Sequence, residues 1–309
     1  MKNDRFGIRW GIAGGTTLAS IEEARNAAQF AENIKADSFW ISHAAAVDSI
    51  LALACLGRDY PGLGEIGTSV VPLYGRHPVG LAQLAMTAQN AVGGRFTLGV
   101  GTASRRQVEE TLGLSWDKPY SYTREFINAL EPLLSGQEVN TEGEQVSAAA
   151  KLEIDAKPTP ILLAALGPRM LRFAGSRLAG TTLGQCGPRT ISSYILPNLQ
   201  AGAEKIERKD SIRVMALVRI NVTDDYSGAK ALAREISTHY QANPSYANAT
   251  KHEGLDDPSD LHLIGSWQQI LDGLAEYAAA GATDLRIQVA THDETSREKT
   301  CQALADYLS

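Results

Sequence analysis

The sequence has little cysteine, no excess of positive charge and no long apolar runs. Its three cysteines, Cys55, Cys186 and Cys301, are too few and too widely spaced for a disulfide framework or a zinc motif. The formal net charge of −6 and the lack of a Lys/Arg block argue against a nucleic-acid partner. No apolar stretch approaches a membrane span, and the amino terminus lacks a secretory signal pattern. We therefore expect a soluble, cytoplasmic protein without a nucleic-acid or membrane partner.

Short apolar runs typical of buried strands alternate along the chain with apolar residues at helical spacing. Strands are predicted over residues 8–13, 38–42, 65–74, 96–101, 161–166, 180–183, 211–222 and 283–290. Ser20 with Glu23, and Ser266 with Gln269, form capping boxes at two helix starts. Parallel strands in this number close most simply into a (β/α)₈ TIM barrel, an α/β fold, spanning residues 1–309 as one domain. The alternative is an open doubly wound sheet, but no Gly-x-Gly-x-x-Gly follows the first strand.

Two segments interrupt this alternation. Residues 137–157 are polar with short β-like pieces, and we expect an excursion or hairpin outside the barrel core. Residues 243–262 are also polar, and we expect a loop over the barrel mouth.

The carboxyl ends of the strands form the functional face of a barrel, because the loops there meet at one mouth. These ends carry glycines, hydroxyls and amides, at Gly14-Gly15, Ser42-His43, 69–74, 101–104, 165–167 and 184–187. They offer neither a pair of carboxylates for glycoside hydrolysis nor a His/Asp/Glu cluster, so we expect no metal. Such a mouth is typical of a site for a phosphorylated organic cofactor, which brings the reactivity with it.

Two turns at this face favour a phosphate. Residues 184–187 lead into a helix at Pro188, so their amides and the helix N-terminus would attract an anion. Residues 101–104 offer free amides and hydroxyls in the same way. Arg105, Arg106 and Arg189 add positive charge nearby; the alternative for each is a solvated surface position.

Five stretches of the sequence resemble a known family. They are GTSVVPLYGRHP (67–78), RFTLGVGTASRR (95–106), GLSWDKPYSYTREFINALEPLLSG (113–136), ILLAALGPRMLRFAG (161–175) and GPRTISSYILP (187–197). Their order and spacing are similar to those of the bacterial-luciferase-like flavin and deazaflavin oxidoreductases, in particular the branch that uses coenzyme F420, an 8-hydroxy-5-deazaflavin.

The resemblance implies a luciferase-like barrel with insertions and with coenzyme F420 at its mouth. The implied reaction is hydride transfer between C5 of the deazaflavin and a small-molecule organic substrate. The enzyme would be a dehydrogenase, or a reductase of an activated C=C or C=N bond. Homodimers are common in this family, so a homodimer is expected.

The resemblance also implies a non-proline cis peptide bond between Ser69 and Val70, behind the deazaflavin ring. Together with the turns described above it gives these expected cofactor contacts: Ser42, Ser69, Val70, Gly101, Thr102, Ser104, Arg105, Leu166, Gly167, Gly184, Gln185, Cys186, Gly187 and Arg189. Two positions depart from the family pattern. Ser42-His43 stands where many relatives have an acid before histidine, and Ser104-Arg105 stands where many read Ser-His.

The expected proton donor is His43, with His77 and Tyr74 as further candidates; the alternative for His43 is a hydrogen-bonded structural histidine. Two other functions remain compatible with the sequence. The same fold could bind FMN and act as a two-component monooxygenase that activates oxygen. It could also bind the cofactor or another ligand without turnover, since Ser42 replaces the acid of many relatives.

Overall fold

The structure, a computed structural model, describes residues 5–241 and 243–309, except the side chains of His239 and Gln241. Its strands are β1 (Arg9–Ala13), β2 (Ser38–Ile41), β3 (Glu65–Thr68), β4 (Val71–Pro72), β5 (Phe96–Gly101), β6 (Val139–Thr141), β7 (Ala148–Ala150), β8 (Ile161–Ala164), β9 (Gly180–Leu183), β10 (Arg213–Val222), β11 (Leu263–Gly265) and β12 (Asp284–Val289). Its helices are α1 (Ile21–Asn33), α2 (Ser49–Leu56), α3 (Pro78–Ala91), α4 (Pro119–Leu134), α5 (Pro168–Arg177), α6 (Pro188–Thr190), α7 (Leu196–Glu204), α8 (Tyr226–Gln241), α9 (Pro244–Glu253), α10 (Trp267–Ala279) and α11 (Glu294–Leu308). Short π-helical turns (Gln107–Thr111, Ile191–Ile195) and a 3₁₀ turn (Pro258–Leu261) complete the list.

Eight parallel strands close into a barrel, in the order β1, β2, β3, β5, β8, β9, β10 and β12. Hydrogen bonds of β10 to both β9 and β12, and of β12 to β1, complete the ring. The (β/α)₈ barrel predicted from the sequence is therefore confirmed. Two further strands of this sheet lie outside the ring: β4 continues β3 and pairs with β5, and β11 pairs with the end of β10. None of the helices within the described residues is both long and apolar enough to cross a lipid bilayer.

The third predicted strand is interrupted between β3 and β4, where the Ser69–Val70 peptide bond is cis. This confirms the cis bond that the family resemblance implies. Glycines in β5 allow this segment to lie against the neighbouring strand. A Cβ at Gly99 would lie 2.0 Å from the carbonyl oxygen of Thr68, and a Cβ at Gly101 would lie 2.9 Å from Val70 Cγ2.

The amino-terminal end of the barrel is filled by charged side chains that neutralise one another. Arg213 donates to Glu65 and to Asp284, each at 2.7 Å, and Arg9 lies 2.6 Å from Glu65. The next layer towards the mouth consists of the buried side chains Trp40, Leu162 and Met215. Because both layers are filled, only the carboxyl end of the barrel is open to a ligand.

The helix starts follow the sequence signals closely, with one difference of detail. In α10 the predicted capping box is complete, with Ser266 and Gln269 each bonding the other's backbone. At α1 the hydroxyl of Ser20 accepts from the amide of Glu23 as predicted, but the Glu23 carboxylate accepts from the amide of Ala19 instead of Ser20. Both Ser20 and Glu23 therefore still accept backbone N–H groups at the start of α1.

Residues 137–157 contain an antiparallel hairpin of β6 and β7 that does not join the barrel sheet. Residues 243–262, expected to be a loop, instead contain α9 and the 3₁₀ turn. The expectation of a loop is wrong because this polar segment has complete helix signals. Asn243 caps α9 by accepting from the amide of Ser245, Pro244 occupies the first turn, and Gly254 ends the helix at φ +81°.

Candidate active site

The strand ends surround a cavity of about 610 Å³, which lies within the range of about 300–1,000 Å³ common for small-molecule sites. Every barrel strand except β5 contributes a lining residue, or is followed by one, and α8 and α9 cover the mouth. The lining residues are Ala13, Gly15, Thr16, Thr17, Ser42, Ser69, Val70, Ala164, Thr182, Leu183, Gly184, Leu217, Arg219, Glu235, Ile236, Tyr240, Tyr246, Arg286 and Gln288.

The Ser69–Val70 peptide is held in the cavity wall by hydrogen bonds from three strands. The Ser69 carbonyl accepts from the hydroxyl of Ser42 at 2.7 Å and from Nη1 of Arg286 at 3.0 Å. The Ser69 hydroxyl lies 2.8 Å from the hydroxyl of Thr182. These contacts fix the backbone at this point and leave the Val70 side chain as part of the lining.

Two buried arginines, Arg219 on β10 and Arg286 on β12, line the same cavity. Arg219 donates to the side-chain carbonyl of Gln185 and, at 2.7 Å, to the hydroxyl of Tyr240. The Nε atoms of both arginines have no partner among the described residues. Burial, together with a smaller effect of the charge of Arg219, lowers the pKa of Arg286 to about 10, so the Arg286 guanidinium remains cationic at neutral pH.

Sequence reasoning missed these two arginines, although a signal was present. In β10 the residues Arg213, Met215, Leu217, Arg219 and Asn221 alternate with apolar residues, so their side chains share one face of the strand. The alternation marks Arg219 as pointing into the barrel. The alternation cannot show whether an acid pairs with Arg219. In the folded protein an acid pairs with Arg213 at the closed end, and none of the described residues forms an ion pair with Arg219 at the mouth.

The expected cofactor contacts divide into residues that line the cavity and residues that do not. Ser42, Ser69, Val70 and Gly184 line it. Gln185 lies buried directly behind it, at φ +44°, and holds Arg219.

The helix start that follows the turn at residues 184–187 is occupied by a carboxylate of the chain itself. The Glu253 carboxylate of α9 accepts from the amide of Arg189 at 3.1 Å and from the amide of Thr190 at 2.7 Å. A Cβ on Gly187 would lie 2.3 Å from the carboxyl carbon of Glu253. The Glu253 carboxylate thus takes the place of an external anion at this helix start, while anion binding by the amides of residues 184–187 themselves stays a prediction. Cys186 beside it is buried, and burial raises the pKa of its thiol, which stays protonated.

The turns after β5 and β8 lie at the rim and not in the lining. Ser104 accepts from the amide of Gln107 at 3.2 Å and so caps the helical turn that follows. The adjacent Arg105 is exposed and paired with Glu109 at 2.9 Å. Thr102 donates to the neighbouring carbonyl of Ala103 at 3.2 Å.

After β8, Gly167 provides the N-cap residue of α5 without a side chain to cap it, and Leu166 is partly buried against the core. The amides of these rim turns remain predicted contacts of the cofactor tail.

None of the three predicted proton donors lines the cavity. His43 is half-buried next to Ser42, with Nε2 3.2 Å from Arg76 Nη2 and Nδ1 3.3 Å from the Ser49 hydroxyl. Burial lowers the pKa of His43, and Arg76 lowers it further, while Asp48 opposes the shift.

His77 and Tyr74 have structural contacts instead. His77 is exposed; its Nδ1 accepts from the amide of Val79, and its Nε2 lies 3.1 Å from the Ser147 carbonyl, which ties α3 to the hairpin. Tyr74 is buried and stacks on Tyr122 at 4.0 Å, and burial raises its pKa to about 12. Neither side chain is part of the cavity lining, and a role of either in proton transfer stays a prediction.

Comparison with known proteins decides the family. The model of the family described as luciferase-like monooxygenase matches residues 7–284. The chain belongs to this family.

Of two curated relatives, one is named as a reductase and the other as an F420-dependent dehydrogenase. The chain is 28% identical to a 5,10-methylenetetrahydromethanopterin reductase of Methanolobus tindarius, over 77% of this chain and 73% of the relative. It is 32% identical to an F420-dependent glucose-6-phosphate dehydrogenase of Nakamurella multipartita, over 72% of this chain and 66% of the relative.

A solved structure supports the fold. The coenzyme F420-dependent tetrahydromethanopterin reductase of Methanopyrus kandleri superposes with a TM-score of 0.79, over 97% of this chain and 98% of that one. At 18% identity this likeness concerns the fold alone. In residues 5–241 and 243–309 no cluster of three or more His, Cys, Asp or Glu side chains could hold a metal ion.

Proposed function

We propose that this luciferase-like protein is a coenzyme F420-dependent oxidoreductase that transfers a hydride between C5 of the deazaflavin and a small organic substrate. It would act as a dehydrogenase, or as a reductase of an activated C=C or C=N bond. The observation that carries the proposal is the cavity walled by Ser69 and Val70, in a chain with a curated relative named as an F420-dependent enzyme.

The lining of the cavity suits a flat, polar ring system. Gly15 and Gly184 contribute backbone without side chains, and a Cβ at Gly184 would already lie 3.4 Å from the Tyr246 hydroxyl. Val70 offers an apolar contact for a ring face, while Arg286, whose Nε has no partner among the described residues, offers a hydrogen-bond donor. When bound, the deazaflavin supplies the carbon that accepts or gives the hydride.

The chain's own part is to bind and orient the reactants. Ser42 and Arg286 hold the Ser69 carbonyl, so Val70 keeps a fixed position against the ring. In this proposal the turns at 101–104 and 166–167 contact the cofactor tail at the rim. The barrel layers below the cavity exclude water from its floor, because Trp40 and its neighbours are fully buried.

His43 is the residue we propose for proton transfer. It directly follows the cavity-lining Ser42, and its amide donates to the Val70 carbonyl at 3.3 Å. Because burial lowers its pKa below 6.5, the imidazole is neutral at pH 7 and suited to accept a proton. This favours the oxidation of an alcohol, in which the substrate hydroxyl loses its proton as the hydride leaves carbon.

Equilibrium titration of the purified protein with oxidised F420 and, separately, with FMN tests the proposal. We expect saturable F420 binding and much weaker FMN binding. Gly184→Leu, which adds a side chain at the cavity, should weaken F420 binding at least tenfold. Gly80→Leu is the matched control, because no atom lies within 4 Å of a Cβ at this glycine of α3.

The second candidate function is an FMN-dependent monooxygenase, which the description of the matching family favours. Tight FMN binding without F420 binding would establish this alternative in place of the proposal. A barrel that binds F420 but transfers no hydride to or from a broad panel of alcohols, enones and imines would be a non-catalytic binder.

A further inference from the structure

We propose that Arg219 and Arg286 form a subsite for an anionic group of the substrate, a phosphate or a carboxylate. That the anion belongs to a substrate depends on the function proposed above. That an anion binds here is inferred from the residues of this chain alone. Both side chains line the cavity at the strand ends.

The two guanidinium groups are buried without a counter-charge. Each arginine is 5% exposed, and no ion pair joins either of them to a carboxylate in the described part of the chain. Their hydrogen-bond partners are neutral: the Gln185 and Tyr240 side chains for Arg219, and the Ser42 hydroxyl and Ser69 carbonyl for Arg286. A buried charge without a partner is unfavourable, so an anion brought by a ligand would relieve it.

The same barrel shows how this chain treats a structural arginine. Arg213, on the same face of β10 as Arg219, donates to both Glu65 and Asp284. Its charge is fully compensated within the fold. Arg219, six residues further along the strand, has no such acid among the described residues. Its charge at the mouth can therefore be neutralised by an anionic ligand.

The register of the strands places the two arginines together. Leu217 pairs with Arg286, and Arg219 pairs with Gln288, so both arginine side chains lie on the cavity face, with Arg219 nearer the mouth. Among the described residues of the lining, Glu235 is the single acid, and no ion pair joins it to either arginine. The lining therefore keeps an excess of positive charge.

An anion here could come from the substrate or from the phosphate of the cofactor tail. The predicted tail contacts lie at the ends of β5, β8 and β9. In the ring of strands, β12 stands opposite β5, whereas β10 lies next to β9 and two places from β8. A tail anchored at the end of β5 lies across the barrel from Arg286, which favours the substrate as the source of an anion at that residue.

Calorimetric titration with inorganic phosphate, at pH 7 and low ionic strength, tests the subsite without any cofactor. We expect saturable binding to the wild-type protein and at least tenfold weaker binding to Arg219→Gln, with partial recovery in Arg219→Lys. Arg234→Gln on α8, where the exposed Arg234 pairs with Asp257, is the control and should bind as wild type. Equal phosphate affinity of wild type and Arg219→Gln, or no binding by either, would overturn the proposal.

Thermal melting gives a second readout that does not depend on affinity. Because Arg219→Gln removes an uncompensated buried charge, we expect its melting temperature without phosphate to equal or exceed that of the wild type. Phosphate should raise the melting temperature of the wild type and not that of the variant. If Arg219→Gln does not fold, charge compensation at this position is structural and the proposal is wrong.

Titration of the same variants with F420 separates the two sources of the anion. Unchanged F420 affinity in Arg219→Gln supports the substrate as the source. A loss of F420 affinity as large as that of phosphate, with phosphate competing against F420, would assign the anion to the cofactor and overturn the substrate assignment. Arg219-dependent phosphate binding in a protein that binds no F420 would refute the proposed function and leave the anion subsite standing.

Discussion

His262, which follows the 3₁₀ turn Pro258–Leu261, is buried, and its protonation is linked to folding. It is 8% exposed, and its Nε2 lies 3.5 Å from the Ser237 hydroxyl of α8. Burial, together with smaller effects of the charges of Arg219 and Lys230, lowers its pKa to about 3. The folded protein therefore keeps this ring neutral over a range in which the unfolded chain binds a proton.

The sign of the resulting pH dependence is defined. Between the unfolded pKa of 6.5 and the folded pKa of about 3, the unfolded state holds the extra proton, so stability falls as the pH falls. When the pH is lowered from 7 to 5, the free energy of unfolding should fall by about 2 kcal/mol less in His262→Gln than in the wild type. Urea denaturation at both pH values measures this, with His77→Gln at an exposed site as control. Parallel losses in wild type and His262→Gln would refute the linkage.

His43→Asn separates proton transfer from a structural role. As the proton carrier, His43 should contribute about 10²–10⁴-fold to turnover, without changing F420 affinity or the melting temperature. The activity of the wild type in the oxidation direction should decline only below pH 6.5, because the pKa of His43 is lowered. The control is His252→Asn, since His252 stacks on Tyr194. A variant with normal turnover, or with turnover lost only in proportion to unfolding, would leave His43 a structural histidine.

At the scale of elements, glycines determine how closely the strands approach. Gly99 in β5 faces the Thr68 carbonyl of β3. At Gly67, the space that a side chain would need is occupied by the ring of Trp40. A side chain at either position would push apart the strands that present Ser69 and Val70. The cavity wall therefore depends on residues that never touch a ligand.

Gly99→Ala tests this dependence. The added methyl would lie 2.0 Å from a backbone oxygen, so we expect a destabilisation of about 1–3 kcal/mol or more together with weaker F420 binding. Gly80→Ala in α3 is the matched control, because it adds the same methyl in open space within a helix. It should stabilise the protein by about 0.5–1 kcal/mol. Normal stability and cofactor affinity of Gly99→Ala would show that the strands can separate without consequence.

At the scale of the whole molecule, the barrel has one closed end and one open end. The closed end depends on Glu65, which is 7% exposed and shared by Arg9 and Arg213. Burial raises the pKa of Glu65, but the hydrogen bonds and charges of the two arginines outweigh it, so the net pKa is lowered and the carboxylate is ionised. The open end holds two arginines without such acids.

Glu65→Gln should cost about 3–5 kcal/mol of unfolding free energy, because it leaves Arg213 partly uncompensated inside the barrel. Glu22→Gln provides the control, since Glu22 forms only an exposed pair with Arg25 on α1 and should change stability by about 0–1 kcal/mol. Chemical denaturation of both variants measures the difference. Equal stabilities would mean that the charged layer is not what closes the barrel.

The fold could be predicted because its signals are local. Each strand and most helices are read from apolar spacing and caps within a few residues, and the eight barrel strands occur where they are predicted. The prediction of a loop at α9 is wrong although its signals are also local. Asn243 and Pro244 mark the start of this helix and Gly254 marks its end, but its polarity suggests a loop. Polarity alone does not distinguish a surface helix from a loop.

The site was harder to predict because its decisive contacts are long-range. Glu253 meets the amide of Thr190 from 63 positions away, and no local pattern shows that this helix start is already occupied. Arg219 and Arg213 look alike in the alternation of β10. Only the folded barrel shows that one meets carboxylates from β3 and β12 while the other faces the cavity.

A crystal structure with F420 soaked into the protein tests the central claim most directly. We predict electron density for the deazaflavin ring inside the cavity, with one ring face against the Ser69–Val70 peptide and the opposite face open to a substrate near Arg219. Density for the ring outside this cavity, or no density at a saturating concentration of F420, would contradict the account.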